Sequence, residues 1–351
     1  VPGFLFWFSF LSPERKENKL TRTDHNRGHL AMRRASPLAG WRRTRYTAAM
    51  QEILTRACML LAIIAIGYLM RRTGFLPESA FAVVSRLVLN VTLPCVVITN
   101  FAHIETSGAL LIMFVFGFAC NALFVALGYL AGRRGGLDGR IFCMLNFSGY
   151  NIGCLTLPYV SSLLGPAAVV SACLFDAGNS LWATGGTNAV CAALQQGGRL
   201  RLVPVLRRLG QSVTILAYMG MVLLSLLHVR LPGPVLEFAE LVGSANSFLA
   251  MLMLGLGMNL DIRRAQLKWL GKAAAIRFGV SLALCLCFYY LLPFDQEIRL
   301  GAALAAFSPV SSISPAFTRE RGGDVGLASS WNTIAIILSL LCMTGVLLVW
   351  G

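Results

Sequence analysis

The sequence NFSGYNIGCLTLP, residues 146–158, interrupts an apolar run that extends from about residue 141 to residue 163. Such a run suits a membrane-spanning helix, which needs roughly 20 mostly apolar residues. Pro158 has no backbone N–H and frees the carbonyl four residues earlier, and Asn151 and Gly153 lie close by. Because a freed peptide group inside a membrane needs a polar partner, we expect this helix to be broken and to present polar groups at its centre.

A second broken helix is expected where AFSPVSSISP, residues 306–315, lies in the apolar run 298–317. Pro309 and Pro315 stand there among small hydroxyl residues. Two interrupted helices at corresponding positions in two halves of a chain indicate a substrate site near the centre of the membrane. The candidate substrate-binding residues are Asn151, Gly153, Pro158, Pro309, Ser311 and Ser312.

The composition is that of an integral membrane protein. The 351 residues are 56% hydrophobic and 13% charged, with a mean hydropathy of +0.69, whereas a soluble protein carries about 25% charged residues. Because no barrel-like alternation is present, we expect an all-α polytopic membrane protein. Ten transmembrane helices are predicted, at roughly 53–70, 80–101, 108–131, 141–163, 167–193, 212–229, 235–259, 268–292, 298–317 and 326–350.

The basic residues predict the topology, because cytoplasmic loops carry an excess of Lys and Arg. The loops after even-numbered spans contribute only Arg230 and Arg299. The odd-numbered loops are therefore predicted to be cytoplasmic, with both termini on the outer side of the cytoplasmic membrane. This placement accounts for the net charge of +15 without a nucleic-acid partner. The odd-numbered loops hold Arg71, Arg72, Arg133, Arg134, Arg140, Arg199, Arg201, Arg207, Arg208, Arg263, Arg264, Lys268, Lys272, Arg319 and Arg321.

The order of the spans predicts an inverted repeat. Five spans precede the Arg199–Arg208 loop and five follow it, so the two halves must enter the membrane from opposite sides. We therefore divide the chain into a first repeat of helices 1–5 (50–195), a cytoplasmic linker (196–210) and a second repeat of helices 6–10 (211–351).

Residues 1–49 differ in character from the rest of the chain. They hold ten Lys and Arg, and no helical or strand period runs through them. Their apolar start precedes the charges, which is the reverse of a signal peptide. So many basic residues outside the first span would also oppose its insertion. We therefore expect Met50 to be the true start and residues 1–49 to be a non-native or disordered leader.

Asp176 lies near the middle of the fifth predicted span, where a carboxylate is costly unless it is paired, protonated or next to water. Uptake and release of a proton there would couple transport to protons; a structural hydrogen bond and contact with the substrate remain alternatives. Asn179, Asn90 and Asn259 are further candidates for coupling or support. Other deep amides, such as that of Asn121, are assigned to helix packing.

The remaining charges within spans belong to Arg56, Arg86 and Arg277, which we expect to extend toward the membrane surface. Motifs of membrane hydrolases, primary pumps and metal sites are absent from the sequence: it has no His-Glu-x-x-His, no Gly-x-Ser-x-Gly and no Walker loop. The ten cysteines fall nearly all in apolar runs, as buried hydrophobes do. An enzyme is therefore not expected, and neither a metal nor a cofactor is predicted.

Between Met50 and the C-terminus, several segments resemble segments of the auxin efflux carrier family and occur in the same order as in that family. The first half contributes GYLMRRTGFL (67–76), LNVTLP (89–94) and Asn151-x-Gly153 followed by Pro158. The second half contributes LMLGLGMNL (252–260) and Pro309 followed by RERGGD (319–324). The chain departs from the plant carriers at Tyr150, where they have proline, at Pro315, which lies one position later, and in lacking their long central loop.

The resemblance implies a secondary carrier of two inverted five-helix repeats, whose broken fourth and ninth helices cross beside a bound organic anion. Bacterial relatives are associated with small carboxylates such as malate or malonate. Asn151, Pro158 and Pro309 match the family's crossover residues. The expected function is therefore alternating-access transport of a small organic anion.

Two alternatives remain open: a sodium-coupled symporter resembling the bile acid symporters, and an intramembrane sensor or enzyme that uses Asp176. An aspartyl protease would need a second acid near the middle of the membrane, and the spans contain none there. The expected partners are the organic anion, the lipid bilayer, protons or sodium, and a second copy of the chain in a homodimer.

Overall fold

The computed structural model describes residues 37–77, 79–102, 108–197 and 203–351, and all regular secondary structure in these residues is helical. Short π-helical segments at Val88–Thr92, Ile152–Thr156 and Trp182–Gly186 continue into the helices that follow them. The helices are α1 (Pro37–Arg72), α2 (Ala80–Leu87), α3 (Leu93–Ala102), α4 (Ile112–Ala131), α5 (Gly136–Phe147), α6 (Leu157–Leu163), α7 (Pro166–Leu181), α8 (Thr187–Gln196), α9 (Val203–Gly210), α10 (Val213–Leu226), α11 (Gly233–Gly243), α12 (Asn246–Gly257), α13 (Leu267–Leu291), α14 (Gln296–Ala306), α15 (Ser314–Glu320) and α16 (Val325–Trp350).

Helical segments long and apolar enough to cross a membrane account for most of the predicted spans. In the described residues there are six: Met50–Arg72, Ala80–Ala102, Ile112–Ala131, Gly233–Gly257, Arg264–Leu291 and Val325–Trp350. A seventh is added if α9 and α10, which meet at an angle of 75°, count as one span. Exposed apolar side chains along these segments, such as Leu223 and Leu341, suit a lipid environment. The prediction of an all-α polytopic membrane protein is confirmed.

The other three predicted spans correspond to interrupted helices. The run 141–163 contains α5 and α6, the run 167–193 contains α7 and α8, and the run 298–317 contains α14 and α15. Each interruption coincides with glycine, proline or small polar residues, which weaken a continuous helix.

Helix α7 packs closely against both α4 and α14. Small residues bring the backbones of α4 and α7 into contact. A Cβ atom added to Gly178 would lie 2.9 Å from the carbonyl carbon of Phe114, and one added to Gly117 would lie 2.8 Å from that of Phe175. Such small-residue contacts hold membrane helices together. They fix the position of α7, which carries Asp176.

The N-terminal region begins differently from the prediction. The chain divides into two compact units, Val1–Tyr46 and Thr47–Gly351, and residues 1–36 of the first lie outside the described residues. The predicted leader therefore stays a prediction there. Helix α1, however, begins at Pro37, so residues 37–49 have a helical backbone. Proline suits the first helical turn, and the Leu, Ala and Arg residues that follow are good helix formers.

The predicted linker, residues 196–210, contains a short helix. Residues 198–202 lie outside the described residues, and Val203–Gly210 form α9. Val205 and Leu209 are buried beside Ile215. Because residues four apart share a helix face, this pair anchors α9 to the start of α10.

Candidate functional site

The first break separates α5 from the helical segment that starts at Ile152. Residues 148–151 are not helical. Gly149 has a backbone φ of 76°, a left-handed conformation that costs other L-residues about 1–2 kcal/mol. Pro158, which we expected to break this helix, lies seven residues after Asn151, where the π-helical segment Ile152–Thr156 passes without a break into α6. Gly149 therefore ends the helix, and the expectation for Pro158 is corrected.

The second break does depend on proline. Helix α14 ends at Ala306, α15 begins at Ser314, and residues 307–313 form turns and irregular backbone. Pro309 lies inside this break, where it can neither donate a helical hydrogen bond nor allow Ser308 an easy helical conformation. Pro315 lies in the first turn of α15. The second broken helix thus resumes with a proline in its first turn, whereas the first resumes at Ile152, six residues before Pro158.

The two breaks contact each other through Asn151. Its backbone N–H donates to the carbonyl oxygen of Pro309 at 2.9 Å, and its side-chain Nδ2 donates to Ser312 Oγ at 2.7 Å. Ser314 Oγ donates to Leu145 O at 2.8 Å, which joins the flanking helices as well. We call residues 148–151 and 307–313 together the crossing.

Carbonyl groups freed at the crossing accept hydrogen bonds from α13 and α16. The guanidinium of Arg277 donates to Phe147 O, to Gly149 O at 3.1 Å and to Ser308 O at 3.0 Å. Arg277 is 0% exposed, so the expectation that it extends to the membrane surface is wrong. The carbonyls at the crossing lie within its reach at that depth, and they hold it there. On α16, Trp331 Nε1 donates to Asn146 O and Asn332 Nδ2 donates to Val310 O and Ser311 O.

The N–H groups of the first break are held by amide side chains. Asn121 Oδ1 accepts from Gly149 N at 2.9 Å, and Asn179 Oδ1 accepts from Tyr150 N at 3.0 Å. Asn179 Nδ2 donates to Tyr150 O at 2.9 Å, and Asn121 Nδ2 donates to Asn179 Oδ1 at 2.7 Å. Asn121, assigned above to helix packing, therefore belongs to the site.

Asp176 continues this network toward the second half of the chain. Its Oδ1 accepts from Asn179 Nδ2 at 2.9 Å, and its Oδ2 accepts from the hydroxyl of Tyr218 at 2.8 Å. Tyr218 lies on α10. A chain of hydrogen bonds thus connects the backbone of the first break to the first long helix after the linker.

A cavity of about 390 Å³ lies against the crossing. Three of the predicted site residues, Pro158, Pro309 and Asn259, do not line it. Pro158 and Pro309 shape the backbone beside it. The predicted residues that line the cavity are Asn90, Asn151, Gly153, Asp176, Asn179, Ser311 and Ser312.

Similarity to known proteins agrees with this geometry. Residues 53–196 match the family described as membrane transport protein. A protein named as an uncharacterized transporter, from Methanothermobacter thermautotrophicus, is 25% identical over 290 residues, which covers 81% of this chain and 94% of that protein. The first half of the chain is thus similar to this family, and most of the chain is similar to a transporter. The prediction of a transporter family is confirmed, and the protein is a transporter and not an enzyme.

In this membrane transport protein, the matched segment contains the first break, Asp176 and Asn179. The partners of a membrane transporter are accordingly the lipid bilayer and a transported substrate. Asn259 Oδ1 accepts from Asp261 N at 3.1 Å, and the supporting role expected for Asn259 stays a prediction. This hydrogen bond closes the turn after α12, away from the cavity. Among the described residues, no group of three His, Cys, Asp or Glu side chains could hold a metal ion.

Arg86 and Tyr150 are among the residues that line the cavity but were not predicted from the sequence. Arg86 was expected at the membrane surface. It precedes Asn90 by four residues, and Asn90 Nδ2 donates to Arg86 O at 3.0 Å. Residues four apart lie on one helix face. The choice of Asn90 as a site residue could therefore have predicted that Arg86 also faces the cavity. Tyr150 is adjacent to Asn151 and could not be assigned without the conformation of the break.

Proposed function

We propose that the protein is a secondary active transporter that moves a small organic anion, a carboxylate, across the cytoplasmic membrane by alternating access. The proposal assigns ten transmembrane helices to the chain, in two inverted five-helix repeats, with both termini on the outer side. Six apolar spans and the bent pair α9–α10, counted as one span, give seven. The three interrupted helices, α5–α6, α7–α8 and α14–α15, bring the number to ten.

Corresponding contacts in the two halves support the inverted repeats. Span three packs on span four (α4 on α5), and span eight packs on span nine (α13 on α14). Span six packs on span two (α10 on α3), and span one meets span seven at Gly67, where a Cβ would lie 3.2 Å from Gly255 Cα. The pairing of spans three and four thus recurs five spans later, and the pairing of spans two and six is matched by that of spans seven and one, as a repeat requires.

The contact between two broken helices inside a cavity is the observation that carries the proposal. Asn151 offers a second N–H on its Nδ2, because an amide has two donors and Ser312 accepts one. The helical segment Ile152–Leu163 begins at the cavity, and its first N–H groups have no helical acceptor. Helix N-termini and free amide donors attract carboxylates. Arg86 adds a positive charge to the wall.

The position of the cavity supports an inward-facing state. The cavity extends from Asn151 and Asp176 to Ser85 on α2 and to Ser212, which caps the start of α10. These helix ends lie next to the basic loops assigned to the cytoplasm. Alternating access then requires the crossing to become accessible from the opposite side.

We propose the proton as the coupling ion, taken up by Asp176. This carboxylate is 7% exposed, and no ion pair to it is found in the described part of the chain. The orientation of Asn179 is fixed by its other bonds, so a proton must bind to Oδ2 on the side of Tyr218. The other titratable groups beside it are the thiols of Cys154 and Cys173.

Sodium is less well supported by the geometry. The side-chain oxygens of Asn121, Asn179 and Asp176 all accept hydrogen bonds from N–H or O–H groups. A sodium ion would have to replace several of these donors at once. Among the described residues, this network therefore offers no ready set of free oxygen ligands.

The function is tested by transport in proteoliposomes that contain the full chain. Labelled monocarboxylates and dicarboxylates, malate and malonate among them, are supplied with a proton gradient, with a sodium gradient and with neither. We expect uptake of at least one carboxylate that increases with the proton gradient. Absence of uptake for every carboxylate would contradict the proposal, and dependence on sodium alone would favour the symporter alternative.

The substitution Asp176→Asn tests the coupling ion. The introduced amide would keep both contacts, because its oxygen accepts from Asn179 and its nitrogen can donate to Tyr218. We expect exchange down a substrate gradient to persist while stimulation by a proton gradient is lost. The exposed acid Glu237 on α11 provides the control, and Glu237→Gln should keep the stimulation. Proton stimulation in Asp176→Asn would exclude Asp176 as the coupling group.

A further inference from the structure

The buried cation of Arg277 has no carboxylate partner among the residues that the structure describes. Its guanidinium instead contacts three backbone carbonyls of both broken helices. It also lies over two aromatic rings, with its central carbon 4.4 Å from the ring centre of Phe124 and 4.8 Å from that of Tyr150. Contacts with carbonyl dipoles and ring faces stabilise a cation without neutralising its charge.

Neutral donors perform the same structural task at neighbouring carbonyls. The indole of Trp331 satisfies Asn146 O, and the amide of Asn332 satisfies Val310 O and Ser311 O. Burial of an ion is far more costly than burial of a neutral donor. Since neutral indole and amide groups satisfy the neighbouring carbonyls, the need for a hydrogen-bond donor does not explain why residue 277 is charged.

The location of Arg277 gives the charge an effect on the cavity. Gly149, whose carbonyl it holds, directly precedes Tyr150 and Asn151, which line the cavity. The low dielectric constant of a protein interior screens a charge less than water does. The charge of Arg277 therefore acts on the cavity at Tyr150 and Asn151. The charged residues that line the cavity itself are Arg86, which is exposed, and Asp176.

We propose that Arg277 supplies the fixed positive charge that makes the cavity select anions. It acts through the crossing without touching the substrate, and it is therefore a positioning residue. This role rests on the proposed transport of an organic anion. It assigns charge selection to Arg277 and leaves direct hydrogen bonding to Asn151. An anion that enters the cavity is attracted by Arg277, and an uncharged molecule of the same shape is not.

The test compares the binding of malonate with that of its uncharged diamide, malonamide, to the purified full chain. In Arg277→Gln, we expect malonate affinity to fall by about tenfold and malonamide affinity to stay unchanged. Arg277→Lys should keep most of the affinity for malonate because it keeps the charge. Equal losses for both ligands in Arg277→Gln, or no loss for either, would overturn the proposal.

The matched control is Arg299, which also donates to a backbone carbonyl, Tyr289 O at 3.1 Å, and also lies over that residue's ring. Arg299→Gln should leave both affinities unchanged. A wild-type protein that transports no carboxylate would overturn the proposed function. A wild-type protein that transports carboxylates while Arg277→Gln still prefers malonate would overturn only the role of Arg277.

A second pair of variants covers the case in which Arg277→Gln does not fold because Asp176 is left as the uncompensated buried charge. Asp176→Asn is compared with the double variant Asp176→Asn/Arg277→Gln. We expect the double variant to lose the preference for malonate that Asp176→Asn retains. If both proteins prefer malonate equally, or if neutral residues at 277 abolish folding in either background, the charge serves the fold and the proposal fails.

Discussion

The first break holds its N–H groups with amide side chains, whereas the second break gives its carbonyls to donors on α13 and α16. In the first break, Gly149 provides the left-handed turn, and Asn121 and Asn179 accept from the exposed N–H groups. In the second, Pro309 prevents a continuous helix, and Asn332 donates to the freed carbonyls. The two halves therefore reach a similar geometry by different means, and they should respond differently to substitution.

The largest effect is expected when Asn179 is replaced by Ala. The change leaves Tyr150 N, Tyr150 O, Asp176 Oδ1 and Asn121 Nδ2 each without the bond that Asn179 makes. At about 1–3 kcal/mol for each unsatisfied buried group, the loss of stability should exceed about 3 kcal/mol, and transport should cease. Thermal unfolding in detergent measures the loss.

The control for this variant is Asn100→Ala. Asn100 is also an amide in a helix, but it is half-buried where Asn179 is buried, and its Nδ2 donates only within its own helix, to Val96 O at 2.8 Å. We expect a loss of about 1 kcal/mol or less there. Similar unfolding temperatures for the two variants would show that the first break does not depend on the amide network.

A smaller effect is expected for Gly149→Ala. The left-handed φ disfavours alanine by about 1–2 kcal/mol, and the new Cβ would lie 2.9 Å from Ser311 Cβ. The substitution should therefore weaken both the fold and the contact between the two breaks. Unfolding and transport are measured together, and an unchanged transport rate would contradict the role given to this glycine.

The smallest effect is expected for Pro158→Ala. Since Pro158 lies in the first turn of α6 and not at the break, alanine fits the same backbone and stability should change by less than about 1 kcal/mol. Transport should continue at a rate close to that of the parent. Pro309→Ala, inside the second break, should be the more damaging of the two. The reverse order would restore proline as the cause of the first break.

The fold could be predicted from hydropathy, since long apolar runs require helices in a membrane. The fully apolar spans fell where the runs predicted, and interrupted helices lie in the three runs 141–163, 167–193 and 298–317. The conformation inside the breaks could not be predicted in the same way. Pro158 was the obvious disrupting residue, but the helical segment Ile152–Leu163 continues through it. A left-handed glycine such as Gly149 leaves no distinctive pattern in one sequence.

The lining of the site was predicted in good part, because small polar residues inside apolar runs must face a polar space. Asn151, Ser311, Ser312 and Asp176 all line the cavity. Arg277 and Asn121, which contact the first break but do not line the cavity, were assigned wrongly. Arg277 is a cation in a mostly apolar helix and Asn121 is a single amide in another, so nothing in the sequence shows that both reach the backbone of the first break.

The central claim, that the contact between the two broken helices is the substrate site, is tested most directly by the affinity of Asn151→Ala for a transported carboxylate. The backbone bond of residue 151 to Pro309 O survives the change, so the fold should persist. Loss of a hydrogen bond to a charged group, about 1.5–3 kcal/mol, should weaken binding by roughly tenfold to a hundredfold. Asn100→Ala should bind like the parent. If purified Asn151→Ala also binds like the parent, the substrate site lies elsewhere.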